Sequence, residues 1–195
     1  MNLILASSSP RRRMLLNKAG YSFVVIPSEE EEKKDYSLPP EEFAGSLARQ
    51  KAEWGKNKLL SRGETLKADT VIIGADTNVI FGSEILGKPK SPDDAKQTLK
   101  KLSGKAHTVI TGLCVIYGTS LEKTVVTSDS SKVLFNELSP EFIEEYVATG
   151  LPLDKAGSYG FQDGYDIVKR VEGSESNVIG LPMEKLEEIL SGISK

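Results

Sequence analysis

The chain has 195 residues, with 25 Lys and Arg against 28 Asp and Glu for a formal charge of −3; 38% of residues are hydrophobic and 27% charged. That balance suits one globular domain with a core and excludes wholesale disorder and fibrous repeats. Net acidity without a long basic tract argues against nucleic acid or an anionic membrane as partner, because phosphate polymers are held by Lys and Arg. A small phosphate ligand needs only a local cluster. Cys114 is the only cysteine, so no internal disulfide is expected and the compartment reads as reducing, hence cytoplasmic. Apolar Met1 to Ala6 precede Arg11-Arg12-Arg13, the reverse of a secretory signal, and no apolar run reaches the ~18 residues of a membrane span.

In chain order, Leu3 to Ala6 is a short apolar run bounded by Ser7-Ser8-Ser9, as in a buried strand that feeds a loop. Ser9 as N-cap, Pro10 at the first helical position and Met14, Leu15, Leu16 and Ala19 as apolar face predict a helix ended by Gly20. Phe23 to Ile26 predicts a strand closed by Pro27, and Ser28 to Tyr36 an acidic loop. Pro39-Pro40-Glu41-Glu42 then opens a helix that carries Phe43, Leu47, Ala48, Lys51 and Trp54 to about Leu59.

Val71-Ile72-Ile73 predicts a buried strand that delivers Gly74-Ala75-Asp76-Thr77 at its exit, and Val79 to Phe81 suits a hairpin with Ile85-Leu86 around Gly82-Ser83. Pro92 to Leu102 reads as a helix. Thr108 to Tyr117 and Thr124 to Phe135 are β-branched stretches expected to pair antiparallel. Ser139-Pro140-Glu141 starts a helix ending at Gly150, Asp166 to Val171 is a last strand, and Leu186 to Leu190 lies in a terminal helix. This mixed order predicts an α/β fold with a mixed sheet, without repeats or a dividing linker.

Ser7-Ser8-Ser9-Pro10-Arg11-Arg12-Arg13 unites hydroxyl donors, bidentate guanidinium groups and the open amides of a helix start, the makings of a phosphate grip. The same segment also reads as a capped surface helix with solvated arginines. Glu29-Glu30-Glu31-Glu32 is an acidic run of the kind that faces solvent, whereas Asp76 at a strand exit sits where catalytic groups are common. Two carboxylates meeting phosphates imply a divalent cation, since Mg²⁺ takes one or two carboxylates plus substrate oxygens and water.

Gly82 to Lys88 spells G-x-x-x-x-G-K, but Pro89 stands where a P-loop needs Ser or Thr, so the P-loop is rejected and Lys88 is kept as a cation in a rigid Gly-Lys-Pro turn. Lys51 shares its helix with Arg49 and equally suits a solvated face. Asp154 to Gln162 combines small, polar and aromatic residues, as a pocket wall for a base would, and Gln162 can donate and accept at a pyrimidine edge. An ordinary tight loop with a core Tyr and Phe is the alternative. His107, the only histidine, cannot make a zinc site alone and reads as structural. Cys114 and Trp54 read as core, and no Ser/His/Asp or Cys/His arrangement is available.

As a set, Leu5-Ala6-Ser7-Ser8-Ser9-Pro10-Arg11-Arg12, Ala48-Arg49-Gln50-Lys51-Ala52, Gly74-Ala75-Asp76-Thr77, Gly87-Lys88-Pro89, Leu102-Ser103-Gly104 with His107, Asp154 to Gly160, and Gly180-Leu181-Pro182 resemble the Maf family. The motifs occur in family order over essentially the whole chain. The resemblance implies a metal-dependent, cytoplasmic nucleoside triphosphate pyrophosphatase, commonly a homodimer. It further implies that residues 1–195 form a single bilobed α/β domain, a mixed sheet with flanking helices similar to inosine triphosphate pyrophosphatases, with an active-site cleft between lobes.

By position, Ser7, Ser9, Arg11 and Arg12 match the family's phosphate-binding start, and Lys51 and Lys88 its phosphate-contacting lysines. Asp76 matches its catalytic aspartate and Glu32 its metal-associated glutamate, with Glu31 as the neighbouring register. Members acting on dTTP and UTP resemble this chain at Arg11, Thr77 and Gln162, where the 7-methyl-GTP subgroup tends to carry Trp, Gln and Glu. The chain departs from the family in having Asp163 for the usual Gly, a loop to Ile167 one residue shorter, and Ser176 for a frequent aromatic.

The reaction so implied is hydrolysis of dTTP, UTP and modified pyrimidine triphosphates to monophosphate and pyrophosphate. Asp76 would activate water at the α-phosphorus, Glu32 and Asp76 would hold Mg²⁺ or Mn²⁺, and Arg11, Arg12, Lys51 and Lys88 would offset phosphate charge. The rival expectations are a 7-methyl-GTP pyrophosphatase and a non-catalytic nucleotide-binding regulator of cell division.

Overall fold

Four of the helices begin at a proline, which fixes the helical φ and has no amide hydrogen to leave unpaired. The computed structural model describes residues 1–28, 30–62 and 67–193. These helices are α1 (Pro10–Lys18), α2 (Pro40–Ser61), α3 (Pro92–Leu102) and α4 (Pro140–Ala148), followed by α5 (Glu175–Ile179) and α6 (Met183–Ile193). Ser91 and Ser139 cap α3 and α4 by accepting from the amides of Asp94 and Phe142, each at 3.1 Å. Ser9 makes no such bond, so the expected cap of α1 is one of position only. The buried face of α1 is Arg12, Leu15 and Leu16 rather than the predicted apolar set, since Met14 is exposed.

The strands are β1 (Asn2–Leu5), β2 (Phe23–Val25), β3 (Thr70–Phe81), β4 (Glu84–Leu86), β5 (Ala106–Tyr117), β6 (Lys123–Phe135) and β7 (Val168–Glu172). They form one sheet in the order β2-β1-β3-β5-β6-β7, with β4 paired to β3. β1 runs parallel to both β2 and β3, while β4 and β7 are antiparallel to β3 and β6, so the sheet is mixed as expected. The hairpin forms around Gly82-Ser83 as expected, with Val79 opposite Leu86 and Phe81 opposite Glu84. One expectation is corrected: β3 continues through Gly74-Ala75-Asp76-Thr77, so Asp76 stands within a strand and not at its exit. The short α5 went unforeseen because five residues hold too little periodicity to show.

The chain forms two compact units: residues 1–76, 111–129 and 180–195 in the first, 77–110 and 130–179 in the second. In the first, Ile4, Ala6, Ala48, Ala52, Trp54, Ile72 and Cys114 share a core cluster, which bears out the reading of Trp54 and Cys114. Burial pushes the Cys114 thiol up to about 12, so it stays protonated and inert. Helix α2 approaches the strands on a stripe of small residues. A Cβ on Gly74 would fall 2.3 Å from the Ala48 carbonyl oxygen and 2.7 Å from the Ala52 nitrogen, and one on Gly112 2.1 Å from the Ala44 carbonyl oxygen.

In the second unit Val79, Leu99, Phe135, Tyr146 and Tyr159 belong to one core cluster. His107 is buried there, its Nε2 hydrogen-bonded to the Tyr159 hydroxyl at 2.9 Å and its ring edge-on to Phe135 at 4.8 Å between centroids. The structural reading of this histidine therefore holds. Among the described residues no helix is long and apolar enough to cross a membrane.

Three expectations follow. Gly74→Ala must push backbone against backbone and should lower stability by roughly 2–3 kcal/mol. Gly82→Ala, at φ +62° with open space around it, should cost about 1 kcal/mol of local strain; urea denaturation separates the two. Burial lowers the pKa of His107 from its ordinary 6.5 to about 4, so between those values the unfolded chain binds the proton that the folded one refuses. Its contribution is complete above pH 6.5 and is lost as pH falls toward 4, by about 3 kcal/mol. Stability curves of wild type and His107→Gln should therefore converge as pH falls through that window, and parallel curves would refute the assignment.

Candidate active site

Strand alternation puts Ile72, Gly74 and Asp76 on one face of β3, and this face lies under α2, where Gly74 meets Ala48 and Ala52 and a Cβ on Gly55 would lie 3.6 Å from Ile72. Lys51 stands between Ala48 and Ala52 in sequence, and its Nζ reaches the carboxylate of Asp76 in a short hydrogen bond and Glu32 Oε1 at 2.9 Å. All three side chains are half-buried, at 15%, 13% and 26% exposure for Lys51, Asp76 and Glu32. Arg49 is exposed and pairs with Glu53 at 2.7 Å. The two cations that the sequence could not tell apart thus divide, Arg49 onto a solvated face and Lys51 onto the carboxylates.

The loop that carries Glu32 is splinted to α2 by Gln50, whose Oε1 accepts from the Lys33 amide and whose Nε2 donates to the Lys33 carbonyl, both at 2.9 Å. Sequence reasoning passed over Gln50, although it sits inside the Arg49-Gln50-Lys51 segment. Of the acidic run, Glu30 and Glu31 are exposed, Glu32 is turned to Lys51, and Glu29 lies outside the described residues.

Strand β1 and helix α1 supply the second group. Arg12 is 8% exposed; its Nε donates to the Gly180 carbonyl at 2.7 Å and its Nη1 to Ser7 Oγ at 2.9 Å. Ser7 Oγ also accepts from the Ser9 amide at 3.2 Å. The buried guanidinium is pushed down to about 10, mainly by loss of water, a drop countered by the charges of Asp76 and Glu32 and deepened by Arg11. Ser7, Arg12, Glu32, Lys51 and Asp76 are therefore gathered within the first unit. Arg11 and Ser9 are half-buried beside them, whereas exposed Arg13 donates to the Ser8 carbonyl at 3.2 Å. Only Arg13 fits the solvated-arginine reading.

The remaining sites predicted from sequence lie in the second unit. Thr77 is half-buried and follows Asp76 on the opposite face of β3. Lys88 is exposed in its turn, which is tied down by the Gly157 amide donating to the Gly87 carbonyl at 3.1 Å. Gly157 adopts φ +69° and presses on Val79 so closely that a Cβ would fall 2.9 Å from a Val79 methyl. Gln162 is half-buried and donates from Nε2 to Asp163 Oδ1 at 2.8 Å. Asp163 is 6% exposed at its side chain and also faces Tyr146 and Lys155, a polar node that sequence reasoning noted only as a departure.

Two carboxylates converging on one ammonium suit the donor set of Mg²⁺ or Mn²⁺, which take one or two carboxylates and complete their shell with substrate oxygens and water. No group of three or more His, Cys, Asp or Glu side chains suited to a metal gathers among the described residues. The buried guanidinium, the lysine and the serine hydroxyl favour anionic oxygens.

The fold is that of the Ham1 protein of Staphylococcus aureus, which it matches with a TM-score of 0.52 over 98% of this chain and 99% of that one at 13% identity. An α/β protein of that fold, bearing a carboxylate, lysine and arginine cluster, is the class so defined. The Maf-like protein family matches residues 2–193, and the chain belongs to that family. Among its relatives, a protein of Aquifex aeolicus (strain VF5) named dTTP/UTP pyrophosphatase is 48% identical over 97% of this chain and 94% of its own. One of the same name from Alkaliphilus oremlandii (strain OhILAs) is 47% identical over 96% of this chain and 94% of its own.

Arg12 uses two different nitrogens at fixed angles, which a lysine cannot reproduce. Arg12→Lys should lower stability by about 1–3 kcal/mol in urea denaturation and release Ser7; unchanged stability would mean that the two hydrogen bonds contribute nothing net.

Proposed function

We propose that the protein hydrolyses dTTP and UTP, together with modified pyrimidine triphosphates, to the nucleoside monophosphate and pyrophosphate. The observation that carries this reading is Lys51 held between Glu32 and Asp76 beside the buried Arg12. Relatives of near-equal length named dTTP/UTP pyrophosphatase support the choice of substrate.

In this reading Asp76 orients and deprotonates a water that attacks the α-phosphorus, the α–β bridging bond breaks, and pyrophosphate leaves. Lys51 and Lys88 contact the phosphates and offset the charge that develops on the departing group, and Ser7, Ser9 and Arg11 donate to phosphate oxygens. Arg12, engaged by Ser7 and Gly180, acts through its charge and by holding Ser7 in place. Glu32 and Asp76 would hold Mg²⁺ or Mn²⁺, which when bound supplies further neutralisation of phosphate charge. Arg11, Thr77 and Gln162 read the base.

The reading includes a homodimer; a cytoplasmic location fits the lone, buried Cys114, and the lack of a nucleic-acid or membrane partner fits the net charge of −3. Pyrophosphate release from dTTP, UTP, CTP, ATP, GTP and 7-methyl-GTP with Mg²⁺ or Mn²⁺, against a chelator control, tests it. dTTP and UTP should lead; a lead by 7-methyl-GTP would overturn the substrate, and binding without turnover would favour a regulator. Asp76→Asn should lower kcat by roughly 10²–10⁴-fold in a folded protein, and near-normal turnover would refute the role of Asp76.

A further inference from the structure

In the second unit the carboxamide of Gln162 is held in one orientation. Its Nε2 donates to Asp163 Oδ1 at 2.8 Å, and a carboxylate only accepts hydrogen bonds, so turning the amide over would set oxygen against oxygen. Asp163 is fixed in turn: its Oδ2 accepts from the Tyr146 hydroxyl at 2.7 Å and lies 3.4 Å from Lys155 Nζ. The Tyr146 hydroxyl itself accepts from the Gly160 amide at 3.1 Å. A Cβ on Gly160 would fall 2.4 Å from Asp163 Oδ1, so the chain has a glycine where the carboxylate needs room. The result is that Gln162 Oε1 is buried with no donor among the described residues, although the residue as a whole is partly exposed. A buried acceptor left unpaired is costly, so a ligand N–H delivered to this oxygen gains more than it would at a solvated one.

We infer that Asp163 locks Gln162 to read the imide edge of thymine and uracil and thereby to reject cytosine, an inference that rests on the pyrimidine triphosphate reading above. With one N–H taken by Asp163, the Gln162 amide offers one acceptor and one remaining donor. Thymine and uracil present an N3–H donor beside a carbonyl acceptor, the complement of that pair. Cytosine presents N3 as an acceptor beside an amino donor, the reverse pattern, which only the overturned amide could meet. An unrestrained glutamine reads either edge by rotating its amide; this one reads a single edge. Asp163 touches no base in this role and is a positioning residue.

Pyrophosphate release from dTTP and dCTP by wild type and Asp163→Asn tests the lock, because an Asn amide can donate to Gln162 Oε1 and so admit the overturned form. The dTTP-to-dCTP ratio of kcat/KM should fall about 10-fold or more, through a higher KM for dTTP and a lower KM for dCTP, with kcat for dTTP little changed. An unchanged ratio overturns the inference, and so does an equal loss on both substrates, which marks a merely structural role. Should Asp163→Asn not fold, wild type decides with N3-methyl-dTTP: KM should rise about 10-fold or more over dTTP, and an equal KM overturns the inference. If wild type releases pyrophosphate from no nucleotide, the hydrolase reading has failed separately, and the relative Kd of dTMP and dCMP on wild type and variant still reads the lock.

Discussion

Backbone touching backbone beneath α2 is the constraint on which the candidate site depends. Ala44, Ala48, Ala52 and Gly55 form a stripe of small residues along the helix, and they meet Gly112 on β5, Gly74 on β3 and Ala6 just past the end of β1 with no room for a larger side chain between. Such an approach fixes the helix both in height above the sheet and in rotation about its axis, because any larger group at either surface would lift or turn it. Lys51 lies between two residues of that stripe, and Asp76 lies two positions along β3 from Gly74 on the same face. Their ion pair is therefore set by steric fit first and by charge second.

Charge then organises what the packing has positioned. Asp76 and Glu32 carry like charges toward the same ammonium, and Lys51 compensates them from a half-buried position in which the attraction is stronger than in bulk water. Arg12 is more deeply buried and loses more hydration, which is why its own pKa falls despite two nearby carboxylates. Hydrogen bonds to Ser7 Oγ and the Gly180 carbonyl hold the guanidinium there. Cations fixed in this way would meet anionic oxygens with little rearrangement, unlike the mobile side chains of a basic surface.

Most of the fold was legible in the sequence because its signals are local. A proline after a serine, an apolar run of four and a turn at Gly82-Ser83 each carry their meaning within a few residues, and α3, the hairpin of β3 with β4 and the strand β1 follow from them closely. The site was legible as residue types, and Lys51, Glu32, Asp76, Ser7 and Arg12 were all singled out. Their separation from look-alikes was not. Whether Lys51 or Arg49 faces the carboxylates, and whether Glu32 or Glu31 faces Lys51, depends on rotation about α2 and on the splint from Gln50, both set by contacts distant in sequence. Asp76 was expected at a strand exit because glycine breaks an apolar run; here Gly74 instead marks the close passage of a helix, a meaning that appears only with its partner present.

The polar loop of the second unit differs in kind from the cluster around Lys51. In the first unit the side chains oppose charge with charge. At Gln162 the determining quantity is the direction of one hydrogen bond, and direction can be imposed only by a partner that cannot reverse, which a carboxylate provides and an amide or hydroxyl does not. Asp163 in turn needs Tyr146, Lys155 and the bare backbone of Gly160 to stay where it is. Five residues are thus arranged so that one buried oxygen keeps a single polarity, a degree of support that an amide with only a packing role would not require.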